Sequence, residues 1–332
     1  MKILIIKLGA IGDVIRTTSI LPGLREKYKD CKIDWLTKKE SYDILKNNTL
    51  IDKIYAIDDL KNELNGYDLI ISLDDDYKAC ELASEIKYKK IIGAYLESGK
   101  KKYTKDSSLW FDMGLISAFG KRKADELKAN NRKTYQEIMY GILGLKYKKQ
   151  EPILVLGKNK IGFGKDFAKN NGIKKNDLVI GINTGAGGRW EDKKLSIEET
   201  AELIGKLNNI ENAKLILFGG PEEKERNNKI KNSVKTKIID AGCDNSLMEF
   251  ASLVNLCNIL VTSDSLALHI GTALKKKIVV FFYPTSSSEI ELFSRGIKII
   301  GKGQSYCSYQ PKCTYPAEWD VDEIARNVQK LI

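Results

Sequence analysis

The 332 residues are enough for two ordinary domains or one large one, and a 42% hydrophobic content can fill sizeable cores. No run of about 18 apolar residues occurs, which argues against a membrane-spanning helix, and "MKILIIKLGAIGD" lacks the long apolar stretch and cleavage site of a secretory signal. The net charge of +11 admits an anionic partner, but no nucleic-acid motif accompanies it, and Lys outnumbers Arg, which speaks against a dedicated bidentate phosphate surface.

In chain order, short apolar runs alternate with helical periodicity. Strands are predicted at 2–8, 32–37, 53–57, 68–73 and 90–96, with helices at 12–28, 40–47 and 76–88 between them. A basic, irregular patch follows at 97–106, then a helix near 134–144. Pro22 implies a kink or early end to the first helix. The segment 145–160, with its charge cluster and Pro152, reads as a linker. Beyond it, strands are predicted at 178–184, 214–219, 237–240, 259–263, 277–283 and 297–300, and helices at 196–208, 222–232, 246–256 and 264–274. A last helix closes the chain. Such alternation means α/β architecture: two doubly wound, Rossmann-like domains, 1–155 and 156–318, facing across a cleft that would hold the active site. The closing helix, 319–332, is expected to pack back on the first domain. Six scattered cysteines without a CxxC read as reduced cytosolic thiols.

The candidate site residues lie where predicted strands end. "KLGAIGD" places Lys7, Gly12 and Asp13 at a strand-to-helix turn. It has neither the spacing of GxGxxG nor the ending of a P-loop. Asp13 is either a first-turn acid favoured by the helix dipole or a general base, and from spacing alone the capping reading is the stronger. "NTGAGGRWEDKK" runs from a strand into glycines and then Arg189, Lys193 and Lys194, a pattern suited to a diphosphate. "FGGPEE" brings Glu222 and Glu223 to a helix start, as ordinary dipole chemistry or as acceptors for ribose hydroxyls. "SDSLALH" carries Asp264, Ser265 and His269, the one histidine, which excludes a histidine-rich metal site. Thr285 and the serines beside it read as capping hydroxyls.

Taken in order, "GDV", "NTGAGGRWEDKK", "FGGPEE", "SDSLALH" and "YPTS" resemble the motifs of glycosyltransferase family 9, whose best-known members are ADP-heptose:lipopolysaccharide heptosyltransferases. The resemblance implies the GT-B fold and an inverting, metal-independent transferase with no cofactor beyond an ADP-linked sugar as co-substrate. By the same resemblance Asp13 is the base. Lys7, Gly12 and Arg16 lie on the acceptor side. Thr184, Ala186, Gly187, Lys193, Lys194, Glu222, Glu223, Asp264, Ser265 and His269 lie on the donor side. The implied partners are a nucleotide sugar and an anionic glycan or glycolipid, without nucleic acid, in the cytoplasm with peripheral contact at the inner face of the membrane. Leu266 and Tyr283 stand where the family has glycines, and Leu195-Ser196 where it has Trp-Pro. Another donor, a protein acceptor and a catalytically silent scaffold are the competing readings; Asp13, Lys193 and Asp264 together argue against silence.

Overall fold

The computed structural model describes residues 1–60, 64–188, 190–310 and 312–332. The chain forms two compact units, one of Met1–Val155 with Ser288–Glu291, the other of Leu156–Ser287 with Leu292–Ile332.

The first unit is built on β1 (Lys2–Ile6), β2 (Lys32–Thr37), β3 (Lys53–Ala56), β4 (Tyr67–Ser72), β5 (Tyr88–Glu97) and β6 (Lys100–Tyr103). Their order is β3-β2-β1-β4-β5-β6, parallel throughout except for the antiparallel β5–β6 pair. Central strands read as unbroken apolar runs because helices cover both faces, and Ile3 to Ile6 are all fully buried. Leu4, Ile6, Leu36, Ile70, Ala79 and Ala83 share one core.

The second unit repeats the plan with β7 (Leu178–Asn183), β8 (Ala213–Phe218), β9 (Ile239–Asp240), β10 (Ile259–Ser263), β11 (Lys277–Phe282) and β12 (Gly296–Ile300), all parallel, in the order β12-β11-β10-β7-β8-β9. In both sheets the order reverses beside the first strand, and the crevice so created lies beyond the carboxyl ends of β1 and β4 in one unit, β7 and β10 in the other. Candidate residues therefore follow those four strands.

Local signals explain most boundaries. Thr134 with Glu137, and Ser196 with Glu199, form capping boxes at the starts of helices Tyr135–Ile142 and Ile197–Asn208. The predicted helix 12–28 is two helices, Ile11–Thr17 and Leu21–Lys27, joined by a 3₁₀ turn at Thr18–Ile20. Pro22 opens the second, where its missing N–H costs nothing. The basic patch at 97–106 is in part a strand: β5 turns through Ser98 and Gly99, both at positive φ, into β6. Helices Lys121–Asn130 and Lys158–Asn170 were not anticipated, because few apolar residues mark them. The closing helix spans Val321–Gln329. Val321, Ile324, Ala325 and Val328 form one apolar stripe that joins the core of the second unit, against helix Ile197–Asn208 and β11.

Candidate active site

In the first unit the chain leaves β1 at Ile6 and turns around a buried carboxylate. Asp74, two residues past the end of the neighbouring β4, accepts the backbone N–H of Leu8 at 2.8 Å and of Gly9 at 2.6 Å. A Cβ on Gly9 would sit 3.1 Å from the same oxygen, so the close wrap favours glycine. Lys7, itself buried, donates to the Leu73 carbonyl at 2.8 Å and lies 3.6 Å from Asp74. Burial pulls the Lys7 ammonium down, yet Asp13 and Asp74 outweigh it and hold the group above its ordinary value. Backbone amides that a phosphate loop would offer to a ligand are thus already used by Asp74.

Helix Ile11–Thr17 begins at once, with Gly12 buried and Asp13 in its first turn. Arg16, one turn on, places its guanidinium 2.8 Å from Asp13 Oδ1 and 3.5 Å from Glu289 Oε2. The guanidinium also lies over the Tyr135 ring at 4.0 Å, with Trp110 at 5.5 Å. Tyr135 is fixed in turn, its hydroxyl 2.7 Å from Thr17 Oγ1 and its backbone N–H bonded to the Glu289 carbonyl at 2.9 Å. Lys128 approaches Glu289 at 3.9 Å. The side chain of Asp13 is 31% exposed, against 6% for Asp74 and 9% for Glu289. Of these three acids it is the most exposed, and it lies against a fixed cation.

Asp74, Tyr135 and Glu289 were not candidates from the sequence. The "LDDD" that follows β4 was a usable signal for Asp74, three acids just past a strand's carboxyl end. Nothing local marks Tyr135 or Glu289, since their roles come from long-range packing.

In the second unit β7 ends at Asn183, whose side-chain amide donates to the Gly185 carbonyl at 2.8 Å, to Thr262 at 3.1 Å and to Ser265 at 3.3 Å. The loop is thereby tied to the end of β10. Thr184 turns its hydroxyl inward, to the Phe218 carbonyl and Asn227. Ala186 and Gly187, the latter at positive φ, lie farther along the loop. Arg189 lies outside the described residues.

Lys193 is buried and donates to both the carbonyl and the carboxylate of Asp264, each at 3.0 Å, with the Trp190 ring 4.7 Å from its ammonium. Thr285 donates to the same carboxylate oxygen at 2.7 Å. Burial pushes Asp264 up, but Lys193, then His269 and Thr285, bring it below the ordinary carboxylate value. Two of the three ammonium protons on Lys193 are accounted for by Asp264. Lys194 pairs instead with Glu191 at 2.9 Å and Glu223 at 3.3 Å. Glu223 is buried and accepts the Gly220 N–H at 3.0 Å, whereas Glu222 is exposed and lies close to Gly188. Ser265 precedes helix Leu266–Ala273 without capping it; its hydroxyl bonds Thr262 at 3.0 Å. That helix start and the Lys193–Asp264 pair thus meet at the end of β10, with the glycine loop tied to it through Asn183.

The family model described as glycosyltransferase family 9 (heptosyltransferase) matches residues 59–318. A lipopolysaccharide heptosyltransferase 1 of Campylobacter coli is 44% identical over 57 residues, a stretch that spans only 17% of this chain and 17% of that relative. Among solved structures, a glycosyl transferase family 9 protein from Veillonella parvula superposes with a TM-score of 0.76 at 17% identity, covering 99% of this chain and 96% of the other. The E. coli heptosyltransferase WaaC with ADP superposes with a TM-score of 0.62, also at 17% identity, covering 99% and 97%. At that identity the two structures speak for the fold, which is GT-B.

Proposed function

Because the chain belongs to glycosyltransferase family 9, we propose that it transfers a sugar, heptose from ADP-heptose, onto a lipopolysaccharide core or related anionic glycolipid, with inversion at the anomeric carbon. The names of the Campylobacter and E. coli proteins support the heptose and the lipopolysaccharide. A nucleotide-linked donor puts the reaction in the cytoplasm.

The observation that carries this reading is Lys193 held on Asp264, a carboxylate that Thr285 also fixes, beside an uncapped helix start. The leaving group is a nucleoside diphosphate, and its developing charge needs positive partners fixed in advance. Lys193, the loop from Thr184 to Gly188 and the first turn of Leu266–Ala273 supply them with no metal ion. Asp264 holds the lysine in place; His269 acts on Asp264 through its charge; Glu222 is the exposed acid suited to ribose hydroxyls, and Glu223 with Lys194 steadies the loop.

On the acceptor side, Asp13 takes the proton of the attacking hydroxyl. That oxygen bonds to the anomeric carbon as the carbon–oxygen bond to the diphosphate breaks, its electron pair leaving with the diphosphate. Arg16 orients the carboxylate, and Lys7 offsets the charge of Asp74 inside the turn.

Mass spectrometry of products from ADP-heptose and a panel of other nucleotide sugars tests the reading. Heptosylated product, formed equally with and without a chelator, is expected. Binding of ADP with no product from any donor would point to a silent scaffold. Leu266 at the helix start, where the resemblance has glycine, favours one second reading: the same chemistry with another sugar.

A further inference from the structure

Leu115 and Phe119 are the most exposed large hydrophobic residues among those described, at 91% and 62%. They lie on the loop between the short helix Ser108–Phe111 and helix Lys121–Asn130. The loop is firmly held. The Tyr103 hydroxyl donates to Asp112 at 2.6 Å and accepts the Ala118 N–H at 2.9 Å, and the Tyr103 ring stacks on Phe111 at 5.4 Å. Ile116 packs inward on the cluster of Cys80, Ala94 and Phe111 while Leu115, beside it, projects into solvent. The exposure is therefore imposed by well-fixed neighbours.

Cations flank the loop. β6 carries Lys100, Lys101 and Lys102; Lys105 follows; Lys121, Arg122 and Lys123 come directly after Phe119 and Gly120; all are exposed. Several are occupied: Lys101 bonds the Asp75 carbonyl, and Lys102, Lys121 and Lys123 pair with Glu97, Asp125 and Glu126. Lys100, Lys105 and Arg122 have no ion-pair partner among the described residues. Lysines on an edge strand guard it against pairing with another sheet, but that leaves Leu115 and Phe119 unexplained.

We propose that this loop and its cations dock on an anionic bilayer surface, with Leu115 and Phe119 entering the acyl boundary and Lys100, Lys105 and Arg122 meeting lipid phosphates. Paired apolar and basic elements are what interfacial binding needs, the first for insertion and the second for attraction. A side chain 91% exposed has no neighbouring walls to form a groove for a peptide, whereas acyl chains close around a single projecting side chain. The inference stands on this surface alone and does not depend on the transferase reading.

The test is co-sedimentation of the full chain with vesicles of phosphatidylcholine alone or of equal parts phosphatidylcholine and phosphatidylglycerol. Wild-type protein is expected to sediment with the second and not the first. Leu115→Ser with Phe119→Ser should weaken that binding about tenfold or more, and Lys100→Glu with Arg122→Glu should do the same more steeply at low salt. All four side chains are exposed, so unchanged melting temperatures are expected. In a Phe119→Trp variant the emission should shift to the blue on anionic vesicles relative to wild type. Equal sedimentation with both vesicles, or wild-type binding by both double variants, overturns the proposal. So does loss of a self-associated form in the Leu115→Ser, Phe119→Ser variant without any change at vesicles.

Discussion

Arg16 joins Asp13 to Glu289 through one guanidinium, 2.8 Å from the first carboxylate and 3.5 Å from the second. The exposed acid is thereby oriented by a cation that is itself fixed by a buried acid and the Tyr135 ring. In the proposed reaction Asp13→Asn keeps the shape and removes the base. It should lower kcat by about 10²–10⁴-fold while calorimetric affinity for ADP stays unchanged. Arg16→Lys keeps the charge and loses the planar fork, so a kcat loss of about tenfold with unaltered ADP affinity is expected. Full activity in Asp13→Asn would end the base assignment.

Lys193 and Asp264 hold each other in a nearly dry setting, and removing one strands the other. Lys193→Met should weaken ADP binding and destabilise the protein by about 3 kcal/mol, read from urea denaturation. Asp264→Asn should cost less, since an amide oxygen still accepts from Lys193 and Thr285. ADP affinity unchanged in Lys193→Met would remove the lysine from the donor site.

Asp74 is a structural prediction independent of any activity. Asp74→Ala leaves three backbone N–H groups, of Leu8, Gly9 and Asp76, without their acceptor and takes a carboxylate from beside the buried Lys7 ammonium, and about 3 kcal/mol of stability should be lost. Asp74→Asn keeps one acceptor oxygen and should recover part of this. Unfolding midpoints in urea, compared at equal slope, decide the matter.

Glu249 makes acid stability testable. The Lys160 ammonium, then the Ser246 hydroxyl and backbone N–H, hold its carboxyl at about 2, below the ordinary 4.5. A carboxyl lowered in the folded state adds stability above its unfolded value and loses it as pH falls toward the folded one. Glu249→Gln should therefore be less stable at neutral pH and show a shallower decline in melting temperature between pH 4.5 and 2. Parallel wild-type and variant curves across that window would refute the assignment.

Both parallel sheets were legible in the sequence because their strands are buried on two faces and read as apolar runs, as "KILII" and "ILVTS" do. β6 was hidden because an exposed edge strand is selected for lysine rather than for apolar alternation. Helix Lys121–Asn130 buries a single alanine and so shows almost no stripe. The loops at the ends of β1, β7 and β10 were legible through their glycines and acids. The partners that define them were not: Asp74 reaches the β1 turn across 66 positions and Glu289 reaches Arg16 across 273, distances at which no local pattern survives.

The carboxylate inside the first turn has a consequence for counting. The two halves share one strand order, yet the β1 turn carries its own anion, covalently supplied by Asp74. A nucleotide arriving there would have to evict a side chain that Lys7 also holds. The halves are therefore not interchangeable, and a calorimetric titration with ADP should saturate at one nucleotide per chain.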